Sequence, residues 1–287
     1  MVAQAIPFLI SGGTGRVGTV LRKSWPWAMR GGLRPIWQAR DAKAGYLAWD
    51  ILNAPCPDMV AGGVILALAG VTRGGDLAQN TDLALAACHA AASQGARHVF
   101  LASSAAVYGA SDAPLTEDAA TAPAGAYGEA KLAMERAALD WHAKAGPNAP
   151  SLTILRIGNI AGLDALLGGA KPGLPVVLDP VAGSDEGPVR SYIGPVTLGA
   201  VLARLATVSA AREALPTVLN IATPLPVTMA ALLDAAGIDW GFGAPRAAAI
   251  ARVVLDTSRL QSLSRLPPPA GRPAAMVAEW RGLGHAH

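Results

Sequence analysis

Seven residues near the start of the chain, Gly12-Gly13-Thr14-Gly15-Arg16-Val17-Gly18, stand directly behind a short apolar run, Pro7-Phe8-Leu9-Ile10-Ser11. An apolar run of that length ending in glycines reads as a buried strand, and residues 16–24 read as the helix that follows. Strand, glycine turn and helix in this order place backbone N–H groups and the positive end of a helix where a pyrophosphate can sit. The glycines at 12, 15 and 18 follow a GxxGxxG spacing rather than GxGxxG. A tight turn with close helix packing and no ligand would need the same glycines, so the loop takes its meaning from the rest of the chain.

The same alternation continues. Short Val/Ile/Leu-rich runs at 34–39, 46–51, 64–69, 98–103 and 152–157 read as strands, and residues 77–94 and 127–145 as helices, the second stopping near Gly146-Pro147. Strands without polar alternation, separated by helices, predict an α/β fold with a doubly wound parallel sheet of the Rossmann type, covered on both faces. After Ile160 the pattern breaks down. Residues 163–188 are rich in Gly, Pro and small side chains, a helix-bearing segment returns at 191–209, a strand at 217–222 and a short helix at 229–236. Pro267-Pro268-Pro269 predicts an extended connection. The expected organisation is a dinucleotide-binding unit over 1–161, rejoined by 190–222, and a small substrate lobe from 162–189 and 223–287.

Composition removes other classes. Hydrophobic residues make up 52% of 287, but 61 of the residues are alanine. The longest apolar run, 59–71, is interrupted by Gly63 and Gly70 and falls short of the roughly 18 residues a membrane helix needs. Gly and Pro make up about a fifth of the chain, below the level of low-complexity sequence. Net charge is +3 with Arg and Lys scattered, so neither a nucleic acid nor a membrane surface is an expected partner. The N-terminus lacks the basic region of a signal peptide, which makes the cytoplasm the expected compartment. Cys56 and Cys88 form no CxxC and are expected to be free, buried thiols. His89, His98, His142, His285 and His287 are not spaced with Cys or carboxylates as a metal site, and no metal is expected.

Three residues carry chemistry. The strand at 98–103 runs into Ser103-Ser104, at the sheet edge where α/β proteins bind ligands, and Tyr127 and Lys131 follow four apart on a predicted helix, sharing a face. A tyrosine with a pKa near 10 is a poor base at neutral pH, but a neighbouring ammonium favours its phenolate. Ser104, Tyr127 and Lys131 behind a dinucleotide loop predict hydride transfer at a carbinol or carbonyl carbon, with Tyr127 moving the proton and Ser104 holding the reacting oxygen. About twenty residues past the loop, where an acid would bind a ribose, stands Gln38; Arg40 follows and can pair with a 2′-phosphate, so the expected cofactor is NADP rather than NAD, although Asp41 argues the other way.

The glycine loop, Ser103-Ser104-Ala105-Ala106-Val107-Tyr108-Gly109 and Tyr127-Gly128-Glu129-Ala130-Lys131 together resemble the extended short-chain dehydrogenase/reductases, in particular the NAD-dependent epimerase/dehydratase family that includes UDP-glucose 4-epimerase. The resemblance implies cofactor contacts at Gly12, Gly15, Arg16, Val17, Gly18, Asp50, Ile51, Leu68, Ala69, Gly70, Asn80, Tyr127 and Lys131, alongside Arg40. It implies substrate contacts at Ser104, Asn159 and Arg190, the last from Val189-Arg190-Ser191-Tyr192-Ile193. It also implies a homodimer paired through the helices that carry Leu83 and Leu132. Two departures narrow the expectation. Ala105-Ala106 follow Ser104 where sugar dehydratases carry Asp-Glu, which disfavours dehydration. The stretch from Asn159 to Arg190 is short, which predicts a small pocket. Epimerase, NADPH-dependent carbonyl reductase, and an NAD(P)-binding sensor or scaffold without chemistry are the functions these residues leave open, with the complete Ser/Tyr/Lys set against the last.

Overall fold

The computed structural model describes residues 5–28, 32–58, 61–245 and 249–284. His285 and His287, Met59 at the start of the long apolar run, and the first four residues lie outside them. The first apolar run forms β1 (Ile6–Ser11) and the glycine loop leads into α1 (Arg16–Ala28). There follow β2 (Leu33–Ala39), β3 (Leu47–Ala48), β4 (Val64–Ala67), α2 (Gln79–Ser93), β5 (His98–Ser104), α3 (Ala126–Lys144) and β6 (Ser151–Ile157). The strand expected at 46–51 shrinks to two residues, because Asp50 opens a turn in which its carbonyl accepts from the amides of Asn53 and Ala54.

Seven strands form one sheet in the order β11-β6-β5-β4-β1-β2-β3, where β11 is Val218–Ile221, and every pairing in it is parallel. The predicted doubly wound sheet is therefore the one observed. From β1 the chain winds one way through β2 and β3 and the other way through β4, β5 and β6. That change of direction opens a crevice beyond the carboxyl ends of β1 and β4, where such folds bind ligands.

Side-chain alternation builds a core on each face. Phe8, Ile10, Leu66, Phe100 and Leu155 point to one side. They meet Leu198, Val201, Leu202 and Leu205 of α4, which is Pro195–Ala210. Leu9, Ile65, Val99 and Leu101 point to the other, against Ala84, Ala87 and Ala91 of α2 and Met134 and Ala138 of α3. The alanines have a purpose on this face: side chains this small let the two helices pack closely on the sheet.

The remainder builds a smaller layer from β7 (Asn159–Ile160), β8 (Val176–Leu178), β9 (Val189–Arg190), β10 (Tyr192–Ile193), β12 (Val227–Thr228), β13 (Trp240–Phe242) and β14 (Arg252–Val253). With them go the helices α5 (Met229–Ala236), α6 (Ser258–Leu263) and α7 (Pro273–Gly282). Leu167, Leu178, Tyr192, Leu232, Leu233 and Met276 form its core. The triple proline is not the extended link expected: Pro268–Gly271 makes a 3-10 turn closed by Ala270 N to Pro267 O at 3.0 Å, since proline's fixed φ suits the opening of a helical turn. Among the described residues no helix is long and apolar enough to cross a membrane.

Candidate active site

The glycine loop is shaped by contacts that exclude side chains. Gly12 has φ +69°, and a Cβ on it would lie 2.6 Å from the Ala69 nitrogen; a Cβ on Gly18 would lie 2.4 Å from the Gly12 carbonyl oxygen. The β1 loop and the β4 loop therefore touch backbone to backbone. Gln38 takes no ligand-facing role: its Oε1 accepts from Gly12 N at 2.8 Å, while its Nε2 donates to Trp49 O at 2.6 Å. That buried amide braces the loop from β2, a function not visible in the spacing that singled the position out. Arg16, Val17 and Gly18 open α1, where the first N–H groups lack partners within the helix. This cradle fits the pyrophosphate of a dinucleotide.

The β4 loop closes the other side. Asn80, almost fully buried, donates to Val71 O and Leu77 O, both at 2.9 Å, and accepts from Val71 N at 3.2 Å. Its side chain thus shapes Leu68, Ala69 and Gly70 rather than pointing outward. A Cβ on Gly70 would meet Asn80 Oδ1 at 2.8 Å and Lys131 Nζ at 3.4 Å, which shows how closely the loop approaches the lysine. Asp50 and Arg40 lie at the far end of the sheet. Asp50 accepts from Leu52 N and Asn53 Nδ2, and these bonds, helped by the charge of Arg40, lower its carboxyl pKa. The Ile51 side chain is packed in the core beneath them.

Ser104, Tyr127, Asn159 and Arg190 line one cavity of about 460 Å³ with Ala105, Ala106, Ile250 and Val253. Ser104 ends β5 and accepts from Ala106 N at 3.1 Å, capping a short 3-10 turn, and its hydroxyl lies near enough to Tyr127 to act on its phenol. Burial pushes the Tyr127 phenol above its ordinary value, while the Ser104 hydroxyl and the charge of Arg16 pull it down. Lys131 lies 6.0 Å from the Tyr127 ring centroid and donates to Ala102 O at 2.9 Å. Burial lowers the Lys131 pKa to about 8, with Glu135 acting in the opposite direction.

Arg190 lines the cavity, but its guanidinium donates to the carbonyls of Val189 at 2.8 Å, Ile250 at 2.6 Å and Ala251 at 3.3 Å. It clamps the 250–253 wall, work that leaves only part of its donor fork for a ligand. Asn159 lies beside Tyr192, its register partner in the β7–β10 pair, whose hydroxyl donates to Asp164 at 2.8 Å.

A buried polar group behind the cavity has no counterpart in the sequence reading. Glu135 accepts from Ser103 Oγ at 2.5 Å and from Arg156 at 2.7–3.2 Å, and Arg156 donates to the Tyr108 hydroxyl at 2.8 Å. The available signal was Glu135 standing four residues after Lys131 on the predicted helix. Arg156, by contrast, is a lone charge in an apolar strand, and its partner is set only by the β5–β6 register and the docking of α3.

Residues 59–167 match the model of the NAD dependent epimerase/dehydratase family. No curated protein matches the chain by sequence. Solved structures share its fold along nearly their whole length. MoeE5 in complex with UDP-glucuronic acid and NAD is 21% identical over 96% of this chain and 99% of that one, with a TM-score of 0.70. A UDP-glucose 4-epimerase from Stenotrophomonas maltophila with bound NAD and formylated UDP-arabinopyranose is 19% identical over 97% and 98%, with a TM-score of 0.73. DesIV, a dTDP-glucose 4,6-dehydratase from Streptomyces venezuelae with NAD bound, is 20% identical over 96% of each chain, with a TM-score of 0.67.

These findings overturn the expectation of NADP. The matching family is described as NAD dependent, and the three neighbours just named hold NAD. The structure supplies the physical reason. Arg40 is exposed just past β2 and lies close enough to Asp50 to act on its carboxyl, so part of its charge is offset by a carboxylate rather than held for a 2′-phosphate. The resemblance read from the motifs is borne out: residues 59–167 match the NAD dependent epimerase/dehydratase family, and the chain shares the fold of these solved structures over nearly its whole length.

Proposed function

We propose that this chain is an NAD-dependent epimerase or dehydrogenase acting at a carbinol or carbonyl carbon of a sugar-like or other small polar substrate. The observation that carries this reading is the placement of Ser104 and Tyr127 together on the wall of a cavity beside the glycine cradle. Gly12, Gly15, Arg16, Val17 and Gly18 would hold the pyrophosphate, Leu68, Ala69 and Gly70 would flank the dinucleotide, and Asp50 and Lys131 would contact it from either side. When bound, NAD accepts or returns the hydride and adds positive charge beside the phenol. Tyr127 takes the hydroxyl proton of the substrate or gives it back, and Ser104 donates to the same oxygen. In the protein alone burial raises the Tyr127 pKa against the charge of Arg16, so the phenolate depends on that charge, on Lys131 6.0 Å from the ring centroid and on the cofactor. Asn159 and Arg190 contact the remainder of the substrate.

Dehydration is disfavoured because Ala105 and Ala106, next to Ser104 on the cavity wall, bring no carboxylate. In the same reading residues 1–161 with 190–222 bind the cofactor and 162–189 with 223–287 bind the substrate. The pairing of β11 with β6 and the packing of α4 on the sheet support that division. A cytoplasmic homodimer through α2 and α3 belongs to it as well.

The test is Tyr127→Phe. With UDP- and dTDP-sugars as substrates and carbon inversion or NADH formation followed by NMR and absorbance, the variant loses turnover yet binds NAD in calorimetry. Unchanged turnover overturns the mechanism. Accumulation of NADH identifies a dehydrogenase, and inversion without it an epimerase.

A further inference from the structure

Glu135 stands on α3 one turn beyond Lys131, so the two side chains leave the helix on one face. That face is turned into the protein, with Lys131 5% exposed and Glu135 1%. The carboxylate is held rigidly. Ser103, the residue before Ser104, donates to Oε1, and the Arg156 guanidinium donates through both Nε and Nη2. The carboxylate is thus paired with one buried cation, Arg156, and shares its buried helix face with a second, Lys131. An apolar side chain would brace α3 against β5 at lower desolvation cost, so mechanical packing alone does not account for a charge here. A carboxylate does what an apolar residue cannot: it offsets the cost of a buried ammonium.

We infer that Glu135 is a positioning residue of the active site, whose carboxylate, fixed by Ser103 and Arg156, keeps Lys131 in its ammonium form and holds the Tyr127–Lys131 face of α3 against the strand that ends in Ser104. The inference rests on the catalytic reading of Tyr127 and Lys131 given above. The titratable and charged groups around the lysine in the described residues are Tyr127 and Glu135 on its own helix and Arg156 on β6. Tyr108 and Glu117 are reached through Arg156, and Arg16 at the head of α1 acts on Tyr127. Arginine stays charged throughout, so when the carboxylate is removed the cation that gives up its proton is Lys131.

The chain has five lysines, so protein labelled with carbon-13 at lysine Cε gives one resonance for each, and Lys131→Arg identifies that of Lys131. Followed against pH, the Lys131 signal of the unaltered protein has its midpoint near 8. In Glu135→Gln the midpoint falls by about one unit or more, and Glu135→Asp restores part of the difference. If Glu135→Gln does not fold because Arg156 is left unpaired, the Glu135→Gln/Arg156→Gln pair is compared with Arg156→Gln alone, and the midpoint falls from the single to the double variant as the carboxylate is lost. An unchanged midpoint in the folded variants overturns the inference, as does a wild-type midpoint at the ordinary lysine value of about 10.4. The titration needs neither substrate nor cofactor. Its failure therefore reports on Glu135 alone, whereas failure of the catalytic reading appears as undiminished turnover in Tyr127→Phe.

Discussion

The Lys131 ammonium donates to the Ala102 carbonyl at 2.9 Å, which ties the helix carrying Tyr127 to the strand that ends in Ser104. The bond holds α3 against β5, and it does so from a buried position.

Replacing Lys131 with Met is expected to lower turnover by roughly 10²-fold or more, since the phenolate loses its neighbouring cation. A pH signature accompanies the loss. The folded lysine has a pKa near 8, below the unfolded value of about 10.4, so between these values the unfolded chain binds the proton and the folded chain does not. Stability contributed by Lys131 therefore rises with pH across that window and is lost as pH falls through 8. Urea unfolding of wild type and Lys131→Met at pH 8 to 10 measures it; the difference, wild type minus variant, grows with pH, and a constant difference contradicts the assignment.

Gly12→Ala forces a Cβ to 2.6 Å from the Ala69 nitrogen at a positive φ. The backbone must move, at a cost of about 1–3 kcal/mol, and the cradle opens with it. Calorimetry with NAD is expected to show binding weakened at least tenfold, while circular dichroism shows the sheet intact. Retained affinity would place the pyrophosphate elsewhere.

Glu279 on α7 accepts from Val196 N at 2.8 Å and Thr197 N at 2.9 Å, so the carboxylate of one helix caps the N-terminus of α4. Glu279→Ala is expected to lose about 0.5–2 kcal/mol of stability, and Glu279→Gln, which keeps an acceptor, less. Thermal unfolding of the two variants ranks them, and the reverse order would discount the cap.

Arg190→Ala frees the carbonyls of Val189, Ile250 and Ala251. Faster hydrogen exchange at residues 250–253 is expected, together with a rise in KM larger than the fall in kcat, because the wall of the cavity loosens while Ser104 and Tyr127 stay in place. A fall confined to kcat would assign Arg190 to the chemical step instead.

Much of the fold was legible because its determinants are local. The run 7–11, the glycine loop and the helix behind it appear as β1, the loop and α1, and the remaining long helices and buried strands lie within a few residues of their expected bounds. Spacing of four residues was enough to place Lys131 beside Tyr127. Where local preference was weak, the reading failed: the strand expected at 46–51 gives way to a turn at Asp50, and the three prolines enter a 3-10 turn rather than an extended link. Arg40 misled in a different way. A cation at the end of β2 reads as a phosphate ligand in sequence, but its nearness to Asp50 depends on how the β2–β3 connection folds back.

The sequence by itself determined the alternation of buried strands and helices, the glycine loop and the four-residue spacing of Tyr127 and Lys131, because each depends on side-chain periodicity or on residues close together in the chain. Only the tertiary structure decided the partners of the buried polar groups: Gln38 with Gly12, Glu135 with Ser103 and Arg156, Arg190 with the 250–251 carbonyls. Each of these links segments that the chain keeps apart until strand register and helix docking join them. A buried polar atom must find a partner once water is excluded, and which partner it finds is a property of the packed molecule.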